Sequence, residues 1–377
     1  MYVSRCVKIQ LLKIKLTCGK FKSCYDYTVC MQSQNRVENR SEIVFFYDAE
    51  RSNPNGNPMS SDNSPRVDKR TGHAIVTDVR LKRYLRDQLS EDGASIYIKN
   101  TGNNDTRGEL LSDLFNEDEV EDLLRDDDRE PDEVAERIHE ILTENAIDIR
   151  LFGATLSVDG DDSELFDVLS NEISHLTGPV QFSPPLSLNT PVQFNEEYDS
   201  LTSVVSNNEE AQGGGFGLDD KRIKYAVFPF HGIVNENAAE DTNLTQEDVE
   251  RLDTLCWRSI KNQTLTRSKV GQEPRLYVRV EYGTDNYHIG DLHHTFELAE
   301  ETPEPDALRK GRDVCLDVTD FVATVSQHSE HIKTVHINGS DVFNYKVDGE
   351  VGDFSTVYSA VSDVIGSDSV NKIEVYE

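Results

Sequence analysis

Two short stretches concentrate the side chains that could grip a polyanion. Residues 66–86 carry Arg66, Lys69, Arg70, Arg80, Lys82, Arg83 and Arg86 against Asp68 and Asp78. Residues 258–279 carry Arg258, Lys261, Arg267, Lys269, Arg275 and Arg279 against Glu273. Clustered cations are the footprint of nucleic-acid binding, because phosphate contacts supply most of its affinity. The opposing account, that these are ordinary helix or strand faces paired with nearby acids, divides the ground evenly with it on composition alone. The run Asn53-Pro54-Asn55-Gly56-Asn57-Pro58 adds an uncharged chemistry. Asn-Pro and Asn-Gly favour turns, and the amides of such a loop could hold phosphate oxygens or 2′-hydroxyls, although a plain exposed turn also fits. Thr266-Arg267-Ser268-Lys269 places hydroxyl and cationic donors in one connection, which suits a sugar-phosphate track. His288, Asp291, His293 and His294 are ligand-like. Their spacing matches no familiar metal site, so they read as an exposed hairpin with no metal assigned. There is no Gly-rich nucleotide loop, no G-x-S-x-G and no plausible Cys nucleophile, so neither a cofactor nor a catalytic residue is assigned.

The chain around these residues is strongly acidic, with 70 Asp and Glu against 38 Lys and Arg and a net charge of −32 over 377 residues. Such self-repulsion opposes compaction unless salt screens it, and at 1 M salt the Debye length is about 3 Å. The acid therefore reads as a halophile's solvated surface; a nucleic-acid mimic or a binder of basic partners is the alternative. Residues 1–36 differ, carrying seven basic residues and only Asp26, together with Cys6, Cys18, Cys24 and Cys30. They read as the product of a mis-called start, with Met31 as the true one, or else as a disordered basic arm. Cys256 and Cys315 are too few for a disulfide framework, which fits a reducing cytoplasm, and no apolar run is long enough to cross a membrane.

The elements expected to position the candidate residues follow from periodicity. Ser41–Ala49 reads as a buried strand, followed by a polar loop from Glu50 to Ala74. Thr77–Leu89 reads as a helix with Val79, Leu81, Leu85 and Leu89 on its apolar face, and Ser95–Lys99 as a second strand. Residues 109–136 hold fourteen acids among leucines at helical spacing, an acidic helical insertion spanning about 100–146 that includes a helix at Pro131–Asn145. Ile147–Ala154 reads as extended or core-facing. Gly178–Leu188 is extended, and the polar stretch 195–217 ends in glycines, like the tip of a hairpin. Strands at Ile223–Val234 and Arg275–Tyr282, the second with one polar face, flank a helix at Thr245–Ile260. A helix at Val318–Gln327 and strands at Ile332–Ile337 and Lys372–Tyr376 follow. This order predicts an α+β fold: one elaborated domain over 37–377 with a ferredoxin-like, RNA-recognition-motif-like core and large helical and hairpin insertions.

Taken together, several of these runs resemble a known family. Glu42-Ile43-Val44-Phe45-Phe46-Tyr47-Asp48-Ala49, Asn53–Pro58, Pro65-Arg66-Val67-Asp68 and Val76-Thr77-Asp78-Val79-Arg80-Leu81-Lys82-Arg83 closely resemble the backbone protein of type I-B CRISPR Cascade complexes. Asp148–Gly153, Gly178-Pro179-Val180-Gln181, Thr266–Lys269 and Pro274-Arg275-Leu276-Tyr277 continue the likeness in order, over roughly residues 40–285. The resemblance implies a non-catalytic, hand-shaped subunit with an RNA-recognition-type palm. Copies of it would oligomerise along the guide RNA (crRNA) and present its bases for pairing with target DNA. Other Cascade subunits and a later-recruited helicase-nuclease are the implied partners. By position, Asn53, Asn55, Asn57, Arg66, Arg80, Lys82, Arg83, Thr266, Arg267, Ser268 and Lys269 are the implied RNA-binding residues, and about 178–217 is the candidate thumb hairpin. One departure matters: related proteins commonly carry an acid where Asn57 stands, and type III relatives use an acid in the equivalent loop to cut RNA. A metal-dependent endoribonuclease using Asp62 or Asp68 is therefore one alternative; an acidic interaction protein without an RNA role is another.

Overall fold

The computed structural model describes residues 35–57, 59, 63–99, 110, 114–115, 131–156, 175–190, 194–195, 200–202, 216–218, 221–305 and 307–376. Its centre is β1 (Ser41–Ser52), whose first nine residues are all buried. Ile43, Phe45, Tyr47 and Ala49 enter one core, and Val44 and Phe46 enter another. A run apolar on both faces is what a strand covered on both sides requires. Along the chain follow α1 (Asp78–Glu91), α2 (Pro131–Asn145), α3 (Ile147–Phe152), β2 (Gly153–Thr155), β3 (His175–Thr177), β4 (Val180–Ser183), β5 (Phe194–Asn195), β6 (Ser200–Thr202), β7 (Phe216–Leu218) and β8 (Arg222–Val234). Then come α4 (Glu236–Thr242), α5 (Gln246–Lys261), β9 (Gln272–Tyr282), β10 (Glu297–Leu298), β11 (Cys315–Asp317), α6 (Thr319–Gln327), β12 (Ile332–Gly339), β13 (Asn344–Val347), β14 (Glu350–Gly352), α7 (Phe354–Ile365) and β15 (Val370–Lys372).

The main sheet runs β15-β12-β9-β1-β8-β4, with β5 also on β8. β1 is antiparallel to both β8 and β9, and β4 is antiparallel to β8. Two β-α-β units, β1-α1-β4 and β8-α5-β9, thus interlock, each enclosing a strand of the other. α1 and α5 cover one face through Leu81, Tyr84, Leu85, Leu89, Val249, Leu252, Leu255 and Ile260. Thr245 starts α5 with a capping box, its hydroxyl accepting from Asp248 N while the Asp248 carboxylate accepts from Thr245 N. The opposite face lies under a C-terminal layer made of the sheet β10-β11-β13-β14 with α6 and α7. Phe296, Leu316, Phe321, Tyr345 and Phe354 fill that side, so neither face of the sheet centre is open to a ligand.

Several local expectations change. Ser95–Lys99 is not a strand: buried Asp148 accepts from Tyr97 N at 2.7 Å and Ile98 N at 3.2 Å, satisfying those groups without a ladder. Ile147–Ala154 is buried but helical to Phe152, and the chain turns at Gly153, which has a positive φ of 71°. The last strand falls at Val370–Lys372, earlier than Lys372–Tyr376. On α1, Val79 is 69% exposed, and Tyr84 takes its place in the core. The polar face of β9 is not solvated. Arg279, 1% exposed, meets the Asp253 carboxylate of α5 through two hydrogen bonds of 2.7 Å. Of the acidic insertion, α2 is present with Leu114 packed near it, and residues 116–130 lie outside the described residues. In the 178–217 stretch, Val180–Ser183 is the edge strand β4, and β6 pairs with β7 antiparallel from Ser200↔Leu218. Most of the remainder beyond residue 190 lies outside the described residues, as do residues 1–34.

Candidate nucleic-acid interface

Where β1 ends, the chain enters the asparagine loop, and hydrogen bonds fasten that loop on two sides. On one side, Asn53 N donates to Ser268 O and Glu50 N to Gly271 O, each at 2.7 Å, so the loop lies against the connection between α5 and β9. Gly271 permits this approach: its φ is +104°, and a Cβ there would sit 2.2 Å from the Glu50 carbonyl oxygen. On the other side, the Asn55 side-chain oxygen accepts from Thr77 N at 2.9 Å and from the Thr77 hydroxyl at 3.0 Å. Thr77 is the N-cap of α1, so a buried amide ties the loop to the start of the helix. Tyr84 of α1 reaches up from the core and donates its hydroxyl to Pro54 O at 2.9 Å. The Asn53-Pro54-Asn55 segment is therefore wedged between α1 and the Thr266–Lys269 connection.

Lys269 is the central cation of this wedge. Its ammonium donates to the carbonyls of Asn53 and Pro54 and has no carboxylate partner among the described residues. Burial, with Arg80 nearby, pushes the lysine down to about 7. The Arg80 guanidinium lies over the Tyr84 ring at 5.7 Å and makes no hydrogen bond or ion pair among the described residues, its backbone N–H alone donating to the Thr77 cap. Arg83, one turn on, gives its Nε to Asp87 at 2.8 Å, while its Nη2 is buried without a partner among the described residues. Four oxygens around this point are likewise buried and unpartnered among the described residues: Tyr47 OH, Ser52 Oγ, Asn53 Oδ1 and Gln272 Oε1. Native proteins rarely leave such groups unsatisfied, so their concentration marks a polar site. Thr266 and Arg267 are exposed, and Ser268 contributes its carbonyl to Asn53.

Other candidates lie elsewhere or are already engaged. Lys82 points to the opposite side of α1, where its ammonium meets Gln181 Oε1 at 2.7 Å and sits over Phe152. Arg66 folds back on the Gly56 carbonyl, and Asn57 belongs to the outer part of the loop, paired with Ser64 and Met59. In the second basic stretch, Arg258 is bidentate to Asp92, Lys261 meets Glu273, Arg275 meets Asp48, and Arg279 meets Asp253. For those four the paired-face account is correct. Tyr84, Gln272 and Gly271 were not singled out by sequence; the spacing of Arg80 and Tyr84, one helical turn apart, was the available signal.

The comparisons with known proteins bear on this geometry. The family model described as CRISPR-associated protein Cas7 matches residues 39–319. The CRISPR-associated protein Cas7 of Haloferax volcanii is 52% identical over 311 residues, which cover 80% of this chain and 87% of that protein. The chain belongs to the Cas7 family. The Cas7 match begins just before β1, ends at the start of α6, and includes every residue of the wedge. Two solved structures also align, named "CRISPR RNA-guided surveillance complex, pre-nicking" and "CRISPR RNA-guided surveillance complex". They cover 86% and 80% of this chain and 100% and 91% of their own, at 13% and 12% identity with TM-scores of 0.44 and 0.40, and add nothing to the Cas7 assignment. A relative in Haloferax volcanii agrees with the halophilic host expected from the charge.

The same Cas7 match contains the histidine turn. It is not an exposed hairpin but a 3₁₀ turn, Leu292–Thr295, pinned from below. Buried Glu42 of β1 accepts from Gly290 N and Leu292 N, each at 3.0 Å, and from the Tyr282 hydroxyl and His231 Nε2. His293 stacks on His231, at 4.8 Å, and lies tilted against His294, at 4.0 Å; His288 stands outside this group.

Proposed function

We propose that this Cas7-family chain is the guide-RNA-binding backbone subunit of a type I CRISPR surveillance complex. Copies of it line the RNA and present its bases to target DNA, alongside other subunits and a helicase-nuclease recruited afterwards. The observation that carries this reading is the meeting of the asparagine loop, Arg80 of α1 and the Thr266–Lys269 connection around a lysine whose ammonium donates only to carbonyls among the described residues. A cation with no counter-ion among the described residues, ringed by amides and hydroxyls, suits a phosphate backbone and is indifferent to base identity. The interlocked β-α-β units form a ferredoxin-like palm in this reading. The RNA runs along the loop end of that palm, because the sheet face used by open RNA-recognition domains is covered here. Asn53, Asn55, Arg80, Arg83, Thr266, Arg267, Ser268 and Lys269 form or support the grip. Asn57 and Arg66 lie further along the loop, and Lys82 serves the contact between α1 and β4. The β6–β7 pair supports a thumb hairpin in the 178–217 region.

We read the subunit as non-catalytic. Asn57 supplies an amide where an acid would be needed. The Asp68 carboxylate accepts Arg70 N at 2.8 Å in a turn, and Asp62 lies outside the described residues. The test is purification of the full chain in molar salt. Short protected RNA should co-purify in length-limited filaments, and Arg80→Glu/Lys269→Glu should cut RNA retention at least ~tenfold, while Lys310→Glu, at an exposed lysine outside the wedge, leaves it unchanged. Protein free of RNA, or equal retention by the double variant, refutes the reading.

A further inference from the structure

We propose that Asp291, His293 and His294 bind a divalent late transition metal, zinc foremost, at a site separate from the RNA grip. One ligand atom from each of the three lies within 4.8 Å of the others, and no other such trio occurs among the described residues. Two imidazoles and a carboxylate select zinc, nickel or copper over magnesium or calcium, which prefer oxygen donors throughout. Donors on a tetrahedral zinc stand roughly 3.4 Å apart. Asp291 and His294 are exposed, so rotation of their side chains can close the remaining gap.

The turn is built in advance. Asp291 adopts a left-handed conformation with φ of 52°, held between two neighbours whose N–H groups both donate to Glu42. His294 N donates to Asp291 O at 2.9 Å and fixes the two ligands relative to each other. His293 Nδ1 is buried and has no hydrogen-bond partner among the described residues. With Nδ1 as its ligand atom, His293 would give that orphaned nitrogen a partner in the metal ion. Behind it, His231 stacks on the ring and is itself anchored by its 2.7 Å hydrogen bond to Glu42, which restricts how the His293 ring can turn. In front lies a pocket of about 580 Å³ lined by His73, His293, His294 and Glu297, among others. Asp291 lies outside its lining, so the pocket gives an ion a route to the two histidines, and water would take the fourth coordination position.

The experiment uses the untagged full chain, stripped with a chelator and titrated with Co²⁺ and then Zn²⁺ at high salt. The expected result is a visible ligand-field spectrum that saturates near one Co²⁺ per chain and is displaced by Zn²⁺. Affinity should fall at least ~tenfold in His294→Ala and in Asp291→Asn and stay unchanged in His288→Ala. Both damaging substitutions are at exposed side chains, and circular dichroism verifies that those variants remain folded. Absence of a spectrum in the parent chain, or a spectrum that both variants keep, overturns the proposal. The readout is optical and independent of RNA, so its failure leaves the guide-RNA assignment standing.

Discussion

Lys269 is the residue on which the proposed grip turns, and its protonation gives that grip a pH dependence. The ammonium of the free protein titrates at about 7. A polyanion favours the charged form, so binding above pH 7 takes up a proton, and affinity should fall as pH rises from 6.5 to 8.5. Lys269→Arg, which keeps its charge throughout, should flatten that profile. Fluorescence titration of a labelled single-stranded RNA checks this, and a flat profile for the parent chain removes Lys269 from the contact. The sign for folding is opposite. Between pH 7 and the ordinary lysine value of 10.5, the unfolded chain binds more protons than the folded one, so stability rises with pH across that window. Sequence showed where Lys269 and the asparagines lie but not that Lys82 leaves the group. Residues 80 and 82 are separated by about 200° around a helix, so a cluster dense in sequence divides between two faces in space.

At the scale of elements, the α5–β9 contact shows how a charge pattern can mislead. By sequence, Arg279 belongs to the solvent side of an alternating strand and Asp253 to that of an amphipathic helix, yet both are buried and joined by two short hydrogen bonds. Asp253→Ala leaves the guanidinium buried without its main partner and should cost about 3–5 kcal/mol, measured by denaturant unfolding at fixed high salt. A loss below about 1 kcal/mol would mean that the pair is solvated. Long, periodic elements such as β1, β8, α1 and α5 were legible because burial dictates their patterns. α7 was not anticipated, since its Ser, Thr and Val content disfavours helix; Asp353 at its N-cap and Phe354, Val357 and Val361 at helical spacing were the available signals. Arg275 was legible as part of a strand but not as the extra residue of a bulge between Phe46 and Tyr47. The bulge turns it toward Asp48 and away from the α5 side of β9.

The whole molecule carries −32 charges around a site proposed to hold an anion. Screening by molar salt makes that tolerable, so lowering salt from about 2 M to 0.1 M should lower the melting temperature steeply, read by circular dichroism. A melting temperature independent of salt would contradict the halophilic reading of the composition. The motifs of the candidate site were legible, but its shape was not, because the contacts that bring residues 50–54 against 268–271 join segments more than two hundred positions apart. Those contacts are made by amides and carbonyls at hydrogen-bonding distance, which ions in solution barely screen. The loop should therefore keep its form as salt is withdrawn, until repulsion across the entire chain overcomes the fold. Desalting would then act as a fuse: the geometry of the loop held nearly constant down to a threshold, then lost together with the structure.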